Sequence, residues 1–302
     1  MEGLAHFPVL MKTTKISLFL ALFTGGGVTA SFAQMEGEYQ LQPLMTRYAE
    51  TAKKITLNAG AHIFNRVDLQ EADKFDGYTV DADLTIPIPY TKHWQVRLSY
   101  PFYTDGEARL TNPGQPDTGK KIDISGYGGV FDFANVQLEY QFRDESEHGY
   151  NMAAYGGVGE ALRFLQTTTV DKDVYNHAGQ VALLGLKADW HHGDDWRFVA
   201  NLGARYYFTS DDLNPSDSSI AGDQFFLLEA SFAAIYHPWK APFFPVAELV
   251  YQGVISDYNS VLFVPEIIYA INSHLELKAG APIGLTSDGE SFGGRFQITT
   301  RF

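Results

Sequence analysis

The 302-residue sequence contains no cysteine, which excludes disulfide bridges and metal sites built on thiolates. Basic residues are scarce: 22 Lys and Arg stand against 36 Asp and Glu, giving a formal net charge of −14. A chain this acidic is poorly suited to bind nucleic-acid phosphates. Beyond the N-terminal region, no apolar run is long enough for a membrane-spanning helix.

Aromatic residues and glycine are plentiful by comparison. The chain has 22 Phe, 17 Tyr and 28 Gly. This composition is typical of β structure with many turns and with aromatic side chains at the strand ends. The mean hydropathy is only −0.15. That value is compatible with a membrane-spanning β-barrel, because barrel strands alternate apolar and polar residues and the average cancels.

The N-terminal region contains the three parts of a secretory signal, in order. Residues 11–15 are basic, residues 16–23 are apolar but too few to span a bilayer, and residues 31–33 fit a small-x-small cleavage site. We therefore expect residues 1–33 to be a cleaved signal peptide, with Met11 as the true start. The alternative is a buried N-terminal helix.

Residues 34–53 are polar and lack the alternation of a strand. Their apolar residues could share one side of a short helix; these are Leu41, Leu44, Met45, Tyr48 and Ala49. Two interpretations remain open for this stretch, namely a periplasmic arm and a plug in the mouth of a barrel.

From residue 54 to residue 302, apolar and polar residues alternate in segments separated by turns, which is the pattern of half-buried β-strands. In the second segment, for example, Val80, Ala82 and Leu84 share one face while Asp81 and Asp83 lie on the other. The pattern predicts twelve strands, at about 54–67, 77–88, 93–103, 129–143, 149–164, 175–190, 195–208, 223–237, 243–254, 258–271, 274–286 and 293–302.

The predicted connections are of two kinds. Short links occupy 89–92, 144–148, 191–194, 238–241 and 272–273, whereas the other set includes longer acidic links at 70–76, 104–121, 166–173, 209–222, 256–257 and 287–290. A soluble β-sandwich has no reason to segregate its loops in this way. We therefore predict an all-β fold: a single transmembrane antiparallel β-barrel of about twelve strands over 54–302, with short periplasmic turns and longer acidic extracellular loops.

The last ten residues fit the closing strand of such a barrel. Phe296, Ile298, Thr300 and Phe302 fall on one face, and the polar residues between them fall on the other. A terminal Phe after alternating apolar residues resembles the assembly signal of outer-membrane β-barrel proteins. We therefore expect Phe296, Ile298 and Phe302 to act as that signal.

Charged residues on the polar faces are predicted to line the lumen, because each would be costly against lipid. Eight are acidic: Asp81, Asp83, Glu139, Asp189, Glu229, Glu248, Glu266 and Glu276. Eight are basic: Arg97, Arg143, Lys187, Arg197, Arg205, Lys278, Arg295 and Arg301. Two interpretations remain, a polar lining for a passage and a paired network that braces the barrel. The balanced charge predicts weak selectivity for the sign of an ion.

Other candidate sites in the sequence are weak. His191 and His192 lie in a tight turn and point apart, so we expect no metal site there. The glycine clusters near 126–129 and 156–159 have the wrong spacing for a phosphate loop. The remaining histidines are scattered, without a Ser motif beside them, so no enzyme activity and no cofactor are expected.

One stretch resembles a known family. Residues 128–132, Gly-Gly-Val-Phe-Asp, lead into 136–142, Val-Gln-Leu-Glu-Tyr-Gln-Phe. This stretch is similar to the Gly-x-x-Asp-then-strand feature of the outer-membrane barrel family associated with phenol meta-pathway gene clusters. The resemblance covers about fifteen residues. It implies a Gram-negative outer-membrane barrel that moves hydrophobic or aromatic compounds.

Together these features predict an exported protein of the bacterial outer membrane that forms a narrow passage for small solutes, hydrophobic or aromatic compounds among them. The alternatives are a non-conducting structural or adhesive barrel and, third, an outer-membrane enzyme. The expected partners are outer-membrane lipid, lipopolysaccharide, the barrel assembly machinery and an unidentified small solute, with no nucleic acid.

Overall fold

In the computed structural model, structure is described for residues 41–69, 72–110, 121–126, 133–160, 163–166, 173–177, 179–209, 225–237, 241–254 and 258–302. The predicted signal peptide, residues 34–40 and the Gly-Gly-Val-Phe-Asp stretch lie outside these ranges. Within them, no helix is both long and apolar enough to cross a membrane.

Twelve long segments of extended chain dominate the described residues. They are β1 Thr56–Leu69, β2 Ala72–Pro87, β3 Trp94–Leu110, β5 Ala134–Arg143, β6 Asn151–Glu160, β9 Gly179–His192, β10 Trp196–Thr209, β11 Phe225–Tyr236, β12 Phe243–Val254, β13 Tyr258–Asn272, β14 Leu275–Gly280 and β16 Phe292–Arg301. Shorter strands are β4 Lys121–Gly126, β7 Arg163–Gln166, β8 Asp173–His177 and β15 Ile283–Gly284. One short helix, α1, spans Glu145–His148.

The long strands form a closed antiparallel barrel. Each pairs with its neighbours in chain order, and β1 pairs with β16 from Thr56 opposite Arg301 to Asn65 opposite Phe292. Closure leaves no strand edge of the ring without a partner, which is what a bilayer demands of a β structure. The predicted twelve-stranded antiparallel barrel is confirmed.

Strand β12 shows how the sequence pattern becomes a wall with two faces. Val246, Glu248 and Val250 are buried, whereas Phe243 and Leu249 are half exposed on the outside. A strand sends successive side chains to opposite faces, so the apolar positions between the inward residues face outward. The inside of the barrel therefore holds charge and the outside presents hydrocarbon, which is the arrangement of a membrane barrel.

Aromatic pairs mark the end of the barrel where the turns are short, referred to below as the short-turn end. Trp94 lies beside Tyr140 with ring centroids 4.5 Å apart, and Trp196 lies beside Tyr236 at 5.0 Å. In both pairs the residues are direct cross-strand neighbours and are exposed on the outside. Rings in such positions suit the boundary between lipid tails and headgroups.

The predicted strand limits hold best where turns are tight. The ninth predicted strand, 243–254, coincides with β12, whereas the third, 93–103, continues to Leu110 as β3 and pairs there with β4. The eleventh, 274–286, is interrupted after Gly280, because Pro282 has no amide hydrogen to continue the ladder. The link at 144–148 contains α1, capped by Asp144.

The role of Phe302 as an assembly signal can be tested by mutation. Phe302 donates its backbone N–H to the Ile55 carbonyl at 3.0 Å, and its side chain is 70% exposed. We expect Phe302→Asp to lower the amount of assembled barrel several-fold, measured by the change in gel mobility on boiling. Tyr90→Asp is the matched control, since Tyr90 is a fully exposed aromatic in a short turn. Equal assembly of the two variants would show that Phe302 is not the signal.

Candidate functional site: the lumen and the segment inside it

Residues 41–53, called here the lumen segment, lie inside the barrel and are bound to its wall. Their backbone N–H groups donate to side-chain oxygens of six strands. The pairs are Leu44 to Glu266 at 3.0 Å, Met45 to Glu248 at 3.1 Å, Arg47 to Asn201 at 2.7 Å, Ala49 to Asp189 at 2.7 Å, Thr51 to Gln141 at 2.8 Å and Ala52 to Gln95 at 2.7 Å. The acceptors lie on β13, β12, β10, β9, β5 and β3, so the segment follows the inner wall around the barrel.

The hydrogen bonds from the lumen segment explain why carboxylates can be buried inside the barrel. The lumen segment has no helix or strand, so its backbone amides need other acceptors. Asp189 and Glu248 have no exposed surface, and Glu266 is 6% exposed. Because each accepts amide hydrogens from the segment, these carboxylates retain hydrogen bonds that would otherwise be lost on leaving water.

Arg47 ties the segment to two well-separated parts of the wall. Its Nη2 donates to Asp83 of β2 at 3.0 Å, and its backbone exchanges hydrogen bonds of 2.7 and 2.6 Å with the Asn201 side chain of β10. Strands β2 and β10 are five places apart in a ring of twelve. Burial lowers the pKa of Arg47, but a guanidinium stays charged at neutral pH, so Arg47 places a cation across the lumen.

A second anchor is centred on Arg197 of β10. Its Nη2 donates to Asp189 at 2.7 Å and to Glu50 of the lumen segment at 2.8 Å, and its guanidinium lies 4.0 Å from the Tyr48 ring centroid. Burial raises the pKa of Tyr48, so the hydroxyl stays protonated and donates to the Leu41 carbonyl oxygen. Wall and segment thus share one buried network.

Two cavities of the lumen lie beside the segment. The larger measures about 200 Å³ and extends from Leu44, Met45 and Arg47 toward the middle of the strands. The smaller measures about 30 Å³ and reaches Thr56, at the short-turn end. Arg47, Arg97 and Lys187 line both cavities. These three residues therefore lie between the two spaces and are called here the partition.

Fifteen of the sixteen predicted lumen charges are buried or partly buried on the inner face. Seven line the larger cavity: Asp81, Asp83, Arg97, Lys187, Arg205, Glu229 and Arg295. The rest lie in wall contacts or against the lumen segment: Glu139, Asp189, Arg197, Glu248, Glu266, Glu276, Lys278 and Arg301. Among these, Arg301 pairs with Glu276 at 2.7 Å and Lys278 donates to Gln297 at 3.1 Å.

Arg143 is the one predicted lumen charge that is neither buried nor partly buried. Its side chain is exposed at the short-turn end and lies 2.7 Å from His148 of α1. The ladder between β5 and β6 shifts register between Gln141 and Arg143, which breaks the alternation that would have placed Arg143 inside. The structure therefore places Arg143 at the short-turn end, outside the buried set of lumen charges.

The predicted assembly residues lie on the outer face. Phe296 is 53% exposed, Ile298 is partly exposed, and Phe302 ends the chain at the short-turn end. Gln297 and Thr299, which alternate with them, are buried on the inner face. Their placement fits the two-faced strand expected from the sequence.

Several inner residues were missed because only charges were considered. Gln95, Gln141 and Asn201 hold the lumen segment through side-chain amides. The sequence pattern points to these residues, since they occupy the polar face in the same alternation as the neighbouring charged residues.

Glu290 was assigned to an outer loop, yet it is 3% exposed, and its carboxylate accepts from His62 Nε2 at 2.9 Å.

Part of the inner face is apolar, which the sequence analysis did not predict. Phe133, Val181 and Leu183 form a buried cluster, with Tyr155 and Tyr207 packed against it. Tyr155 lies across Gly185 and Gly203 of the neighbouring strands, where a Cβ atom would come within 2.5 Å of the Tyr155 hydroxyl oxygen. Phe133, Tyr155 and Leu183 line the larger cavity, which therefore has an apolar side as well as a charged one.

Comparison with solved structures places this barrel among known ones. An outer-membrane channel from Pseudomonas putida is 12% identical, with a TM-score of 0.53 over 87% of this chain and 100% of that one. The fold is that of an outer-membrane β-barrel. No protein-family model matches the sequence, and no curated protein matches it.

Two further barrels of this fold belong to autotransporters. The transport unit of AIDA-I from Escherichia coli is 11% identical, with a TM-score of 0.50 over 87% of this chain and 94% of that one. The β domain of the Bordetella autotransporter BrkA is also 11% identical, with a TM-score of 0.50 over 83% of this chain and 100% of that one. At these identities the likeness shows the fold alone.

Proposed function

We propose that the protein is an outer-membrane channel with a narrow passage for small solutes that carry aromatic or other apolar groups. The observation that carries this proposal is the pair of cavities in the lumen that share Arg47, Arg97 and Lys187 as lining residues. The apolar cluster around Phe133 supports an apolar component of the solute. The similar barrel from Pseudomonas putida is described as an outer membrane channel.

In this proposal, the signal peptide directs export and is cleaved, and the lumen segment narrows the barrel once it is in the outer membrane. An eight-stranded barrel is filled by its own side chains, whereas sixteen strands leave an aqueous channel. A twelve-stranded barrel that also holds a bound segment has room for one small solute at a time.

The second candidate is a sealed barrel in which the buried network acts only as a brace. The observation in its favour is the ion pairing among Asp189, Arg197 and Glu50, which spans wall and segment. The two candidates differ at Arg47. In the channel this side chain obstructs the passage, whereas in the sealed barrel its removal only weakens the brace.

Solute flux into proteoliposomes tests the proposal. We expect Arg47→Ala to raise the influx of a neutral aromatic solute such as benzamide several-fold above wild type, because truncation joins the two cavities. Arg143→Ala is the matched control, since it removes an exposed arginine outside the lumen. An absence of protein-dependent flux in both wild type and Arg47→Ala would favour the sealed barrel.

A further inference from the structure

The walls of the two cavities are more basic than the chain as a whole. Five cationic side chains and three carboxylates line the larger cavity, a surplus of two positive charges. Four cationic side chains and two carboxylates line the smaller one. Three of these cations are shared with the larger cavity, so the two walls together hold six cations and five carboxylates, a surplus of one. The whole chain, in contrast, carries −14. The balance of eight acids and eight bases in the sequence therefore does not extend to the cavity walls.

The lumen segment accounts for this imbalance. Asp189, Glu248 and Glu266 accept its backbone amides and are withdrawn from the open space, so they line neither cavity. Lumen cations such as Arg97 and Lys187, in contrast, remain on the cavity walls. An enclosed space with excess positive charge and low-dielectric walls attracts anions.

Arg97 of β3 has a donor to spare. It approaches Asp83 at only 3.4 Å, because Asp83 already accepts from Arg47 at 3.0 Å and from Asn58 at 2.8 Å. Arg97 Nε is buried, and no atom within the described part of the chain accepts a hydrogen bond from it. Arg97 also lines both cavities, so an anion at the partition would meet a guanidinium whose Nε–H is unused.

The larger cavity offers an apolar surface together with this cation. Phe133, Tyr155 and Leu183 line it along with Arg97. The cavity volume of about 200 Å³ is below the roughly 300–1,000 Å³ of pockets for drug-sized ligands. A solute that uses both features is small and has an aromatic or apolar body and one anionic group.

We propose that the partition and the larger cavity form a binding site for a small aromatic carboxylate, with its carboxylate on Arg97 and its ring against Phe133, Tyr155 and Leu183. This rests on the proposed channel function and adds the charge of the preferred solute. A guanidinium matches the two oxygens of a carboxylate, and a charge-assisted hydrogen bond in a buried site is stronger than a neutral one.

Calorimetric titration of the full chain in detergent tests the site without requiring passage. The probes are benzoate and benzamide, which have the same shape but differ in charge. We expect benzoate to bind about tenfold or more tightly than benzamide, since it alone makes charge-assisted hydrogen bonds. Equal affinities, or no binding of benzoate, would overturn the proposal whatever the variants do.

Variants then assign the site to Arg97. We expect Arg97→Gln to raise the Kd for benzoate about tenfold or more, Arg97→Lys to retain part of the affinity, and Arg143→Gln to leave it unchanged. The change in gel mobility on boiling verifies that each variant is folded. Wild-type affinity in folded Arg97→Gln would overturn the assignment.

Flux measurements separate this proposal from the channel itself. Benzamide influx without preference for benzoate would contradict the anion site and leave the channel standing. Benzoate binding without protein-dependent influx of either solute would contradict the channel and leave the site standing.

Discussion

Asp189→Asn is expected to destabilise the protein by about 3–5 kcal/mol, because it breaks a buried ion pair and leaves Arg197 short of a counter-charge. Asp189 has no exposed surface and accepts from Ala49, Glu50, Asn151 and Arg197 at 2.7–3.0 Å. An asparagine keeps the shape but turns an NH₂ group toward donors. The measurement is the free energy of unfolding by denaturant in lipid vesicles.

Glu107→Gln is the matched control. Glu107 also forms an ion pair, with Lys121 at 2.9 Å, but the side chains are 57% and 68% exposed. An exposed pair of this kind contributes about 0–1 kcal/mol. If Asp189→Asn cost no more than Glu107→Gln, the buried network would not be what holds the lumen segment.

Leu138→Arg is expected to destabilise the barrel by about 2–4 kcal/mol, because it places a cation against lipid near the bilayer midplane. Leu138 is 46% exposed on the outer face, halfway along β5. Unfolding in vesicles of defined thickness measures this cost. The same substitution at the adjacent Gln137 is the control, since Gln137 lines the larger cavity on the inner face. A similar cost at both positions would contradict the assignment of the two faces of the wall.

The barrel could be predicted from the sequence because alternation is a local property that survives folding. In β12 the inward Glu248 and the outward Leu249 follow directly from neighbouring positions in the chain. Prediction failed where a local irregularity cancels the alternation. The bulge before Arg143 depends on the register between two strands, which no single residue shows. The interruption at Pro282 could have been predicted from the missing amide hydrogen of proline.

The lumen segment was harder to predict for a different reason. Nothing in the polar sequence of 41–53 shows that its amides meet Glu248 and Asp189, which lie well over a hundred residues later. The inward carboxylates were visible in the sequence, which left open whether they line a passage or pair with the inward bases. That several of them accept hydrogen bonds from the segment was not visible.

Single-channel recording of the full chain and of a variant lacking residues 41–53 tests most directly whether the lumen segment closes a passage. Removing the segment would leave the ring of strands intact and expose the inward carboxylates to water. We expect small or absent current steps for the full chain and clearly larger steps for the deletion variant, provided that both show the folded gel mobility. Equal currents from the two proteins, or none from the folded deletion variant, would show that the segment does not close a passage.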